Sequence, residues 1–121
     1  MIYISLSVNE LNSTFYFFTK VLRIFDGMTD SRLICNSGIE LIIDLYEIGS
    51  DRHRNVFGID THAPASIAMH HGEGIKIKIL SRLKELEVKH ELIGNIAGLF
   101  LNLEDPTGNK IAIWSHHGGI V

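Results

Sequence analysis

Twice along this 121-residue chain the spacing of apolar residues changes in the same order, from two, to three and four, and back to two. "IYISLSV", residues 2–8, alternates Ile2, Ile4, Leu6 and Val8 with Tyr3, Ser5 and Ser7, the signature of a strand with one buried face. "NELNSTFYFFTKVLRIF" follows, with Leu11, Phe15, Phe18 and Leu22 in one helical stripe and Asn9 placed to cap it. Beyond the turn "DGMTDS", strand patterns return in "RLIC" and "GIELIIDLY", with a weaker one near residues 25–29. In the second half "SIAMH" reads as a strand, and "EGIKIKILSRLKELEV" places Ile75, Ile79, Leu83 and Leu86 on one helix face. The alternation Ile75, Ile77, Ile79 also fits a strand. "KHELIG", "GLFLNLE" and "NKIAIWSH" close the chain as strands, with Asp105-Pro106-Thr107-Gly108 as a type I turn.

The expected order is therefore β-α-β-β-β, repeated once. "GIEL" (38–41) and "KIAI" (110–113) fall at matching places, which points to an internal duplication. The expected class is α+β, one domain over 1–121 made of module 1 (1–46), a linker (47–65) and module 2 (66–117). The linker shows no period. A connection of that length is a tether or a functional loop.

Composition narrows the function classes. With 45% hydrophobic residues the chain can bury a core, and its net charge of -3 comes with scattered Lys and Arg, the densest cluster being Arg52 and Arg54. A nucleic-acid binder would show a basic stripe, so no nucleic-acid partner is expected. No apolar run approaches the roughly 18 residues of a membrane span. Cys35, the one cysteine, excludes an internal disulfide and suits a reducing compartment, and is expected as a buried strand residue. The chain opens into an alternating strand and not a basic-then-apolar leader, so the expectation is a soluble, cytoplasmic protein.

Two stretches carry a family resemblance. "NELNSTFYFFTKVLRIF" resembles the acidic-Leu-x-x-Ser/Thr…Phe-Tyr…Val-Leu-Gly-Phe helix of the vicinal-oxygen-chelate superfamily, with Arg23 in place of the usual Gly. "LFLNLEDPTGNKIAIW" resembles that superfamily's F-x-D-P-x-G-N-x-I-E. Glyoxalase I, extradiol dioxygenases and bleomycin-resistance proteins belong to it. The resemblance implies paired modules forming a curved mixed sheet around a cleft, and a homodimer. In enzyme members up to four ligands from the first and last strands of each module hold a divalent metal. The matching positions here are Tyr3, Glu40, Ser66 and Ala112. A neutral phenol and an alcohol are poor ligands and an alanine is none, so the resemblance implies a member without the inherited metal site, and no cofactor.

Strand period sorts the remaining residues. One face of each strand is apolar; the other carries Tyr3, Ser5 and Ser7; Glu40, Ile42, Asp44 and Tyr46; Ser66, Ala68 and His70; Phe100, Asn102 and Glu104; Ala112, Trp114 and His116. The four ligand-equivalent positions lie on this second face. Its aromatic residues and the carboxylates of Glu40, Asp44 and Glu104 suit a planar or cationic small molecule. The candidate ligand-binding residues are Tyr3, Glu40, Asp44, Ser66, Phe100, Asn102, Glu104 and Trp114. The leading expectation is a metal-independent binder of the bleomycin-resistance type that holds an aromatic or cationic compound. A second is a metal-dependent lyase or dioxygenase with a displaced site of Glu40, Asp44, His70 and His116. A third is a protein-interaction module. His53 and His62, in the linker, are expected to be solvated, and His71 and His117 to lie on the opposite face or in loops.

Overall fold

The computed structural model describes every residue of 1–121 except Glu73, His117 and Gly118, and divides into two compact units, Met1–Ala65 and Ser66–Val121. In unit 1, β1 (Ile2–Val8) runs parallel to β4 (Leu41–Glu47), and β3 (Arg32–Cys35) and β2 (Phe25–Gly27) follow antiparallel in the order β1-β4-β3-β2. A parallel pair needs a crossover, and the helical segment after β1 supplies it. That segment is α1 (Leu11–Tyr16) followed by a π turn, Phe17–Val21, closed by the Leu22 N–H on the Phe17 carbonyl at 3.0 Å. The N-cap is Glu10 and not Asn9: the Glu10 carbonyl accepts from the Thr14 N–H and hydroxyl. The wider turn rotates the chain relative to an ideal helix. The buried set is Thr14, Phe17, Phe18, Val21 and Leu22, with Leu11 and Phe15 only half-buried. Phe18 packs edge-on against both Phe17 and Phe25, at 5.2 and 5.3 Å. Immediately after the helical segment, Arg23 sits at φ 58°, in the left-handed region.

On the helix-covered face of the sheet, Leu6, Val8, Leu33, Ile43 and Leu45 form the core. Ile2, expected there, is 63% exposed, and Ile4 is half-buried; burial along β1 begins at Leu6. Cys35 is half-buried at the end of β3, its Sγ 3.2 Å from the Ser37 hydroxyl.

The expected linker is not a tether. Residues Asp51–Phe57 form α2, whose Ser50 N-cap hydroxyl accepts from the His53 N–H and whose C-cap is Gly58 at φ 73°. His53 is fully buried, against the expectation of a solvated loop histidine. Its Nδ1 lies 3.0 Å from the Ile59 carbonyl and its Nε2 2.7 Å from the Ser7 hydroxyl. A carbonyl only accepts, so Nδ1 carries the proton and Nε2 accepts from Ser7. The Ala63 N–H donates in turn to Ser7 Oγ at 3.1 Å. This network holds α2 and the following segment against β1, and unit 1 therefore runs to Ala65.

Unit 2 repeats the plan. β5 (Ser66–His70) is parallel to β8 (Lys110–Ser115), and β7 (Gly98–Glu104) and β6 (His90–Asn95) complete the order β5-β8-β7-β6. α3 (Ile77–Glu85) buries Ile79 and Leu83. Ile75 is buried too, but in an isolated parallel bridge with Ile120, which settles the helix-or-strand ambiguity in favour of a later helix start. Leu86, expected on the buried face, is 48% exposed because the helix ends there and Glu87, at φ 55°, turns the chain. The Val121 carbonyl accepts from the Ile77 N–H, so unit 2 extends past residue 117. In the β7–β8 turn the Asp105 carboxylate accepts from the backbone N–H groups of Thr107, Gly108 and Asn109 and from the Asn109 side chain, all within 3.0 Å. Among the described residues no helix is long and apolar enough to cross a membrane.

Two substitutions probe unit 1. His53→Ala leaves the Ser7 hydroxyl and the Ile59 carbonyl without their partner in a buried setting, and should lower stability by about 2–4 kcal/mol in urea unfolding; a loss below about 0.5 kcal/mol would show that the network does not hold α2. Arg23→Gly removes a left-handed penalty at the helix end and should raise stability by about 0.5–1 kcal/mol, read as a higher unfolding midpoint at unchanged slope.

Candidate functional site

The register of unit 2 arranges its non-helical face in rows that cross the strands. Ile93, Phe100, Trp114 and His70 form one row. Glu91, Asn102, Ala112 and Ala68 form the next, and Glu104, Lys110 and Ser66 a third. The middle row is lowest where the two alanines oppose each other. A groove of about 970 Å³ opens there, lined by Ser66, Ala68, Lys89, His90, Glu91, Asn102, Glu104, Lys110 and Ala112 among others. Trp114 and Phe100 stack with ring centroids 5.9 Å apart and planes 16° apart. They stand one row along, roughly 7 Å by strand geometry, and so border the groove without lining it. Among the described residues none of Lys89, Glu91, Glu104 and Lys110 forms an ion pair, so their charges are free to meet a ligand.

The corresponding face of unit 1 differs in chemistry. Arg32 lies opposite Asp44 across the strands and donates to both carboxylate oxygens, from Nε at 2.6 Å and from a terminal nitrogen at 3.2 Å. This fork, with the charge of Asp44, raises the Arg32 pKa above its ordinary value. The guanidinium also stands 5.7 Å from the Tyr3 ring, and Arg52 of α2 lies 4.7 Å over Tyr46. Asp44, expected to offer negative charge, is thus neutralised by a cross-strand partner. Glu40 has a side chain 83% exposed, 3.8 Å from the terminal amino group of Met1. The expected acidic, aromatic lining is here an aromatic and guanidinium lining.

Register also revises one equivalence. Ser66 pairs with Lys110, so Ala112 lies two residues beyond its partner; Tyr3 pairs with Ile42, and two residues beyond that is Asp44, not Glu40. The ligand-equivalent positions do not suit a divalent metal on either assignment. Ala112 has no donor, Tyr3 and Ser66 are neutral oxygens, Glu40 projects into solvent, and both oxygens of Asp44 are occupied by Arg32. Among the described residues no group of three or more His, Cys, Asp or Glu side chains gathers in one place. Of the displaced set, His70 and His116 meet, Nε2 to Nδ1 at 2.9 Å, in unit 2, whereas Glu40 and Asp44 belong to unit 1. His71 turns to the other side and is buried, its Nδ1 without a hydrogen-bond partner. His117 lies outside the described residues. Sequence reasoning named neither Arg32 nor Arg52 as a site residue, because both reach this face through pairings that only register and the docking of α2 reveal.

No family model matches the sequence, and no curated protein matches it. Solved structures do. A glyoxalase-related enzyme from Fulvimarina pelagi is 15% identical, with a TM-score of 0.68 over 95% of this chain and 86% of that one. A lactoylglutathione lyase from Agrobacterium tumefaciens is 11% identical, with a TM-score of 0.64 over 95% and 92%. The oxidase ChaP-H2 is 13% identical, with a TM-score of 0.67 over 98% and 97%. At such identities the likeness is one of fold, and the chain has the paired βαβββ fold of the vicinal-oxygen-chelate superfamily.

Proposed function

We propose that this protein binds a small aromatic compound without transforming it, in the groove of unit 2, in the manner of the bleomycin-resistance members of its fold. The observation that carries this reading is the opposed pair Ala68 and Ala112 at the floor of the groove. Two short side chains leave room between the Trp114–Phe100 stack and the charged row of Glu104 and Lys110. The groove volume lies within the usual range of small-molecule sites, about 300–1,000 Å³. A planar ring would lie over the alanines with one edge toward Trp114. Its polar edge would meet the Asn102 amide and the carboxylates of Glu91 and Glu104, which favour an amine or an amide N–H. A cationic compound keeps a rationale through those two carboxylates alone, since Asp44 is engaged by Arg32. The proposed assembly is a homodimer.

The donor chemistry supports a binder over a metal-dependent lyase or dioxygenase: a position filled by alanine offers no lone pair to a metal. Screening fused-ring aromatic amines and their neutral analogues by thermal shift should find members that raise Tm, because a ligand selective for the native state stabilises it by mass action. Trp114 is the one tryptophan, so its fluorescence reports the same event. Ala112→Phe fills the floor and should weaken binding at least about tenfold, or 1.4 kcal/mol, with the far-UV circular dichroism unchanged. Trp114→Ala should weaken it too. Undiminished affinity in both variants would remove the groove from consideration.

A further inference from the structure

At the end of the aromatic row, His70 and His116 bring two imidazole nitrogens face to face. His70 Nε2 and His116 Nδ1 are 2.9 Å apart, with the ring planes 13° from parallel and the centroids 5.0 Å apart. One nitrogen donates to the other. Backbone contacts lie beside both residues. The His71 N–H donates to the Trp114 carbonyl at 2.7 Å, which ties down the chain just after His70, and the His70 ring rests 4.4 Å from Trp114. On the other side, Gly98 at φ 138° lets β7 press against the end of β8. A Cβ there would overlap the Ser115 carbonyl and come within 2.9 Å of His116 Cα, so the glycine is what allows the His116 backbone to take its place.

We propose that His70 and His116 form a two-imidazole site for a late first-row divalent metal ion, copper(II) being the best match. The site stands apart from the groove and does not depend on the proposed small-molecule binding. Metal–imidazole bonds of about 2.0–2.1 Å separate two nitrogens by about 2.9 Å at a right angle, and by about 3.4 Å at the tetrahedral angle. The observed 2.9 Å is the length of the N–H···N hydrogen bond; it holds the two nitrogens within the span one ion bridges, and among the first-row divalent ions copper(II) binds nitrogen ligands most tightly. The two lone pairs must turn to converge on one point. The terminal torsion of histidine is broad, so this rearrangement is small and replaces the single N–H···N bond. His116 is exposed, which gives the ion an entry path and leaves its remaining positions to solvent.

Trp114 supplies the readout, since a paramagnetic ion held at His70 quenches its emission. Titrating the intact protein with copper(II) should give saturable one-to-one quenching in the micromolar range. His70→Gln and His116→Gln should each raise the apparent Kd at least tenfold. His62→Gln, in unit 1, should leave it unchanged. Thermal melts establish that the variants fold, and the solvent-exposed His116→Gln serves if His70→Gln does not. Electron paramagnetic resonance of the one-to-one complex should show a tetragonal copper(II) with imidazole nitrogen coupling. Quenching of equal affinity in the parent and the His116→Gln variant, or a spectrum without nitrogen coupling, would overturn the proposal.

Discussion

The parallel ladder between β5 and β8 decides which side chains of unit 2 share a face, because a slip of one residue would send every one of them to the other side. The turn that follows β7 holds the register of the antiparallel β7–β8 pair beside it. Asp105 is 4% exposed and Asn109 fully buried, and the Asp105 carboxylate accepts four hydrogen bonds from the turn it begins. A buried carboxylate so satisfied costs little to keep, whereas one left without its donors would be expensive. The β7–β8 pairing therefore has few alternatives. Ala112 meets Asn102 on one side and Ala68 on the other, and the low floor between an aromatic row and a charged row follows from those pairings.

What a period of two can say about a strand was legible in the sequence. "SIAMH" and "GLFLNLE" coincide with β5 and β7, and the β-α-β-β-β order recurs in each unit. A period says nothing about which neighbour covers which part of a face, and this is why Ile2 was placed in the core. Nor does it register a helix too short to show a stripe. α2 has seven residues; its marks were local ones, a serine before it and a glycine after it. The burial of His53 was beyond local reading altogether. It depends on Ser7, forty-six positions earlier, and only the docked helix makes a polar strand position into an interior one. The π turn after α1 is a related case. Phe17 and Phe18 are buried together with Thr14, Val21 and Leu22, a spacing that any regular helix stripe shows, so nothing in the pattern marks the widened turn.

Charge was the least legible property of the candidate site. Alternation placed Asp44 on the correct side of β4, but a carboxylate acts on a ligand only if nothing nearer claims it. Arg32 stands directly across the ladder and engages both oxygens. Bidentate guanidinium–carboxylate pairs are among the stronger polar contacts available to a partly exposed face, and a ligand would have to offer more than this fork provides. Cross-strand partners are a matter of register, so a residue list sorted by face overstates how many of its charges remain available.

The two units thus use one topology to opposite ends. On unit 1 the polar groups answer one another: Ser7 with His53, Asp44 with Arg32, Tyr46 with Arg52. Opening that surface to a ligand would leave buried or partly buried groups without partners, a penalty that binding must first overcome. On unit 2 the acids and lysines along the groove are not paired with one another, the floor is two methyl groups, and the adjacent tryptophan keeps a half-buried ring. Two modules of one topology can divide labour in this way when one engages the polar groups of this face with one another, while the other leaves the charged groups along its groove toward solvent. Water meets those groups at little cost until a ligand replaces it. The asymmetry favours unit 2 for the proposed binding, since an unpaired exposed carboxylate is a group that gains from a new partner.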